Sequence, residues 1–172
     1  MNRRNILSLS AIMAVGVALL PGAAISQQKS LKDQLVGAWT PVSWEQVKKD
    51  GSKFNRFGSN MKGFNVFDAN GHFYLMFARS DLPKIASNNV STPTPEEAKA
   101  IATGMIAYYG TYTVDEGTKT ITLRIEASSL PNQLGMDQKR AITSISPTEL
   151  KYTNSTIVGG DGQINVTLKR AN

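Results

Sequence analysis

The run Thr120-Ile121-Thr122-Leu123-Arg124-Ile125-Glu126 alternates strictly between polar and apolar positions. That period predicts a β-strand with one dry face and one wet face. Similar short apolar stretches, bounded by turn residues, recur along most of the chain. Strands are expected at 37–47, 62–67, 72–79, 105–114, 119–127, 138–145, 149–155 and 163–170. The connections carry turn chemistry: Asp50-Gly51, Asn70-Gly71, Asp115-Glu116-Gly117, Ser146-Pro147-Thr148 and the glycine-rich 159–162. Leu31 to Leu35 reads as a short helical turn before the first strand.

One stretch breaks the pattern. Residues 81–94 are polar and punctuated by prolines, and Thr94-Pro95-Glu96-Glu97 opens a helix expected to run to about Thr103. Threonine caps, proline suits the first helical position, and the glutamates sit at the positive end of the dipole. The helix therefore falls in an insertion between the third and fourth expected strands. Such an insertion serves either as a functional lid, with Asp81, Lys84, Asn88 and Asn89 as its polar residues, or as a plain cap over one end.

Short turns and strict alternation favour an all-β, eight-stranded antiparallel up-and-down barrel over a sandwich, because closure removes exposed strand edges. A barrel of this size encloses room for one small ligand. The chain shows no repeat and no linker, so residues 27–172 are read as one domain.

The first 26 residues are set apart from that fold. Asn2-Arg3-Arg4 is basic, Ala11 to Leu20 is apolar and short for a membrane span, and Ala24-Ile25-Ser26 offers small residues for cleavage. The segment 1–26 is expected to be a signal peptide cut before Gln27, with Ile25 as the other site. Arg3-Arg4 fits either a twin-arginine or an ordinary secretory route. The mature protein is expected to be periplasmic or secreted, without a stable membrane anchor, as a monomer or homodimer. No cysteine follows the apolar run, which excludes a lipoprotein.

Composition narrows the chemistry. With no cysteine in 172 residues, disulfides, zinc-thiolate sites and thiol nucleophiles are excluded. The single histidine, His72, follows the Asn70-Gly71 turn and leaves little room for a histidine metal site or a Ser-His-Asp relay. The 159–162 stretch lacks the phosphate-loop pattern, and no cofactor or metal is expected. Dropping Arg3 and Arg4 lowers the formal charge of +6 by two, to +4. The basic pairs Lys48-Lys49, Lys139-Arg140 and Lys169-Arg170 are scattered, which argues for solvated faces and against nucleic acid.

Several motifs carry a resemblance. Leu35-Val36-Gly37-Ala38-Trp39, Phe67-Asp68-Ala69-Asn70-Gly71, Arg79-Ser80-Asp81-Leu82-Pro83-Lys84, Tyr108-Tyr109-Gly110-Thr111-Tyr112 and Asp137-Gln138-Lys139-Arg140 lie in the order found in bacterial exported lipocalin-like domain proteins. The chain resembles that group over nearly all of its mature length. The resemblance implies a lipocalin-like barrel whose closed end is plugged by Trp39, with Arg170 of the last strand across its ring and Gly37 allowing close passage of the backbone. It implies no particular reaction.

Parity then assigns inward faces. Ile164, Val166, Leu168 and Arg170 share a face, as do Phe73, Leu75, Phe77 and Arg79, and Ile106, Tyr108, Gly110 and Tyr112. On the first strand Trp39, Ser43 and Glu45 are in phase, and a bulge in any strand inverts its phase. The expected ligand-binding residues are therefore Glu45, Phe73, Leu75, Phe77, Arg79, Tyr108 and Tyr112. Glu45 and Arg79 would hold a polar head group, unless both sit in solvent at strand ends. The leading reading is an exported binder or carrier of a small hydrophobic or amphipathic molecule. Two others stay open. One is a cyclase, isomerase or hydrolase using Glu45 or Asp137; the other is an interaction module with a filled barrel.

Overall fold

The computed structural model describes residues 29–158 and 160–171; the expected export segment lies outside them. A short helix α1 (Leu31–Leu35) leads into β1 (Gly37–Val47). The two-residue β2 (Lys53–Phe54), β3 (Lys62–Phe67) and β4 (His72–Ala78) follow, and then α2 (Pro95–Gly104) and β5 (Met105–Asp115). The chain continues through β6 (Thr120–Ser128), a 3-10 turn at Pro131–Gln133, β7 (Asp137–Ile145), β8 (Glu149–Asn154) and β9 (Gln163–Arg170). Each long strand pairs antiparallel with the next, and β9 pairs back onto β1. The result is the expected closed eight-stranded antiparallel barrel, with its helix between the third and fourth long strands. β2 is an addition to it: Phe54 and Lys53 extend the far end of β1 opposite Gln46 and Val47.

Local chemistry explains the one substantial helix. The Thr94 hydroxyl accepts from the Glu97 backbone N–H at 3.2 Å, and the Glu97 carboxylate accepts from the Thr94 N–H at 2.9 Å. Two donors that the first turn leaves orphaned are thereby satisfied reciprocally. Glu97 also accepts from the Ala86 N–H at 2.9 Å, anchoring the insertion to the helix start. These backbone donors, Ala86 first, hold the Glu97 carboxyl below its usual range.

The barrel has a packed half and a hollow half. In the packed half Trp39, Phe67, Phe73, Leu123, Leu150 and Leu168 are all buried. Phe67 meets Tyr112 edge to face at 5.1 Å, and the Tyr112 hydroxyl donates to the Asp68 carbonyl at 2.7 Å. The outer face of β3, β4 and β5 is less conventional. Phe64, Tyr74, Met76 and Tyr109 stay exposed there, accounting for the apolar residues on both faces of the 72–78 strand.

β1 departs from the expected phase. Its pairing with β9 runs in register from Trp39 to Pro41, and then Ser43 rather than Val42 opposes Thr167. The extra residue, Val42, points out to solvent. A bulge of this kind inverts every later position on the strand. Trp44 and Gln46 face inward, and Ser43 and Glu45 do not. The inward placement expected for Glu45 is thus corrected by one inserted residue.

Candidate functional site

Trp39 closes one end of the barrel. Its indole N–H donates to the Leu35 carbonyl at 2.8 Å, and the Arg170 guanidinium lies over its ring at 4.0 Å. Arg170 reaches three backbone carbonyls, Pro147 at 2.6 Å, Val36 at 3.0 Å and Gln34 at 2.6 Å. One planar group therefore binds the last strand to the helix that precedes the first. Gly37 has φ +129°, and a β-carbon there would sit 2.7 Å from the Arg170 Nη1. The glycine makes room for the guanidinium, where the sequence reading assigned it to backbone passage.

Beyond the midline the barrel opens into a cavity of about 530 Å³. Leu75, Phe77, Ile106, Ile164 and Val166 form apolar walls, and Leu130 and Ile157 contribute from the loops. The mouth is ringed by aromatics. Trp44 meets Phe57 edge to face at 5.4 Å and Phe54 at 6.3 Å, while Phe57 meets Phe77 at 6.0 Å.

Arg56 holds the mouth to the insertion. Its Nε donates to the Thr103 carbonyl at 2.7 Å, and its Nη2 to the Ala102 and Met105 carbonyls at 3.1 and 3.0 Å. These carbonyls belong to the last turn of α2 and its cap, where orphan acceptors and the negative end of the dipole favour a cation. Ala102 and Thr103 in turn line the cavity. Asp81, Lys84, Asn88 and Asn89 do not, so only the helical end of the insertion reaches the cavity wall.

A buried polar cluster around Arg140, with Gln138 and Asn154 beside it, also lines the cavity. Arg140 on β7 is 3% exposed. Its Nη2 donates to the Tyr108 hydroxyl at 2.5 Å and to the Gln138 side-chain carbonyl at 2.9 Å, and its guanidinium lies 5.1 Å from the centre of the Tyr152 ring. Burial pushes the Tyr108 phenol up, against the opposing pull of the Arg140 charge. The Tyr152 phenol is pushed up to about 12 by the same burial, again opposed by Arg140. Both remain neutral hydroxyls near pH 7.

The expected site residues divide three ways. Leu75, Phe77 and Tyr108 line the cavity. Phe73 and Tyr112 belong to the packed half, Phe73 supporting Tyr108 edge to face at 5.8 Å. Glu45 pairs with Lys53 at 3.1 Å on the surface, and Arg79, beyond the end of β4, pairs with Asp81 at 2.7 Å. Neither expected inward charge reaches the interior. Asp137 likewise pairs with Arg124 at 3.2 Å outside. The sequence reading missed Gln138 and Arg140. Their two-residue spacing with the apolar Ile142 was the available signal, and a basic pair read as solvated obscured it.

Fold and cavity together define a closed antiparallel barrel, plugged at one end and hollow at the other. The model of the lipocalin-like domain family matches residues 36–168, and the chain belongs to that family. Solved structures of similar shape include a lipocalin-like protein from Bacteroides uniformis, 13% identical, covering 80% of this chain and 99% of that one with a TM-score of 0.43. A redesigned β barrel is 17% identical over 86% of this chain and 100% of its own, with a TM-score of 0.44. Another, bound to DFHBI, is 19% identical over 83% and 100%, with a TM-score of 0.42. Among curated proteins none matches the chain.

Proposed function

We propose that the protein is an exported binder or carrier that holds one small hydrophobic or amphipathic molecule inside its barrel. The observation that supports this most directly is the cavity of about 530 Å³, apolar on its walls and reached through an aromatic mouth. Its volume lies within the range of small-molecule sites, which pair apolar walls with a few placed polar groups. A barrel packed solid, as an interaction module requires, is not what the hollow half offers. The enzyme reading has lost its two candidate carboxylates to surface ion pairs.

Native mass spectrometry of the protein purified from its own host tests the proposal. A co-purifying small molecule, released on denaturation, is the expected result. A clean apo mass, with no thermal shift across a panel of lipids and aromatic metabolites, would overturn it. Cleavage near Gln27 in the same spectrum checks the export segment.

A further inference from the structure

Arg140 presents a problem of charge that the apolar cavity does not solve. It is nine-tenths buried and more, and among the described residues it forms no ion pair. Among the described residues, no aspartate or glutamate lines the cavity. Of the five N–H donors of a guanidinium, two on Nη2 are taken by Tyr108 and Gln138. Nε has no hydrogen-bond partner, and Nη1 donates to no group among the described residues. A buried cation left in this state is costly unless something else completes its shell. The Tyr152 ring compensates part of the charge but accepts no N–H in its plane.

The neighbours add donors and no anion. The Tyr108 oxygen already accepts from Arg140, which leaves its own O–H to donate. The Gln138 carbonyl also accepts from Arg140, which leaves its amide N–H groups. Guanidinium, phenol and amide all stand at the cavity wall. A cluster of this composition is complementary to an acceptor that carries negative charge. A carboxylate fits it best, because one oxygen accepts from the free Nη1 while the remaining lone pairs serve the phenol and the amide.

We propose that the cavity takes a monocarboxylate with an apolar body, its carboxylate seated on Arg140 and flanked by Tyr108 and Gln138. The inference rests on the binder reading and gives its ligand a charge and an orientation: head group at the barrel's midline, apolar body toward the aromatic mouth. Arg140 is then the residue that selects among apolar molecules of similar size.

Matched probes test this on the mature chain. Decanoate is compared with 1-decanol, and 2-naphthoate with 2-naphthol, by calorimetric titration at pH 7.5. The acid of at least one pair should bind about tenfold or more tightly than its alcohol, the discrimination expected of a charge-assisted hydrogen bond. In Arg140→Gln that preference should collapse to within about twofold, with the alcohol's affinity retained. Equal affinities for acid and alcohol in the wild type would overturn the inference while leaving the binder reading intact, the guanidinium then being served by water. Binding of none of the four probes would overturn both. Should Arg140→Gln not fold, the wild-type comparison decides alone.

Discussion

The guanidinium carbon of Arg170 lies 4.0 Å from the centre of the Trp39 ring, and its nitrogens bind three carbonyls from two other segments. First and last strands are joined at this point by a side chain as well as by the β1–β9 ladder. Trp39→Ala should cost about 3–5 kcal/mol as a large truncation in a packed core. Arg170→Met should cost about 2–3 kcal/mol through lost charge-assisted hydrogen bonds. Urea denaturation measures both, and a cost below about 1 kcal/mol for Arg170→Met would deny the guanidinium this role.

Gly37→Ala tests the same corner from the backbone side. The substitution meets both a positive φ of +129° and the Arg170 Nη1 at 2.7 Å. A loss of about 1 kcal/mol or more is expected. In the Arg170→Met background the loss should shrink, since one of its two causes is gone. Additive losses would separate the two residues.

The bulge at Val42 predicts a silent carboxylate. Glu45→Ala should change stability by no more than about 0.5 kcal/mol, as for other exposed pairs, and leave ligand affinity unchanged. Trp44→Ala, one residue earlier, should weaken binding of the molecule that mass spectrometry identifies. A reversal of these two results would return Glu45 to the interior and remove the bulge.

Arg56→Ala should release the end of α2 from the mouth. Hydrogen exchange at Ala102 to Met105 is expected to quicken, while the N-terminal turn, held by the Thr94–Glu97 box, keeps its protection. Uniform exchange across α2 in both proteins would show that Arg56 does not anchor it.

Tyr152 sets an alkaline limit on stability. An unfolded tyrosine titrates near 10, whereas burial pushes this phenol up to about 12. The folded state therefore holds the proton more tightly. The resulting stabilisation is complete below pH 10 and is lost as the pH rises from about 10 through 12. Denaturation of wild type and Tyr152→Phe between pH 9 and 12 should show the steeper decline in the wild type. Parallel declines would mean that the phenol is not shielded.

Much of the barrel could be read from the chain because its elements rest on local rules. Alternation marked β6, and Thr94-Pro95-Glu96-Glu97 marked the start of α2. Parity placed Leu75, Phe77 and Tyr108 on the inner face, since β4 and β5 run without interruption through those positions. The same rule failed on β1, where the bulge depends on how the strand fits β9. It also failed for Arg79, which lies one residue past its strand and turns to Asp81.

Arg140 marks the boundary between the two kinds of knowledge. By itself the sequence determined a run of short antiparallel strands, one capped helix, and a tryptophan and arginine at opposite ends of the domain, because turns, caps and period-two patterns act between near neighbours. Only the tertiary structure decided that the barrel is solid around Trp39 and hollow around Arg140. Which polar residues a closed sheet encloses depends on bulges, curvature and the volume left between side chains from different strands, and no single strand carries that information.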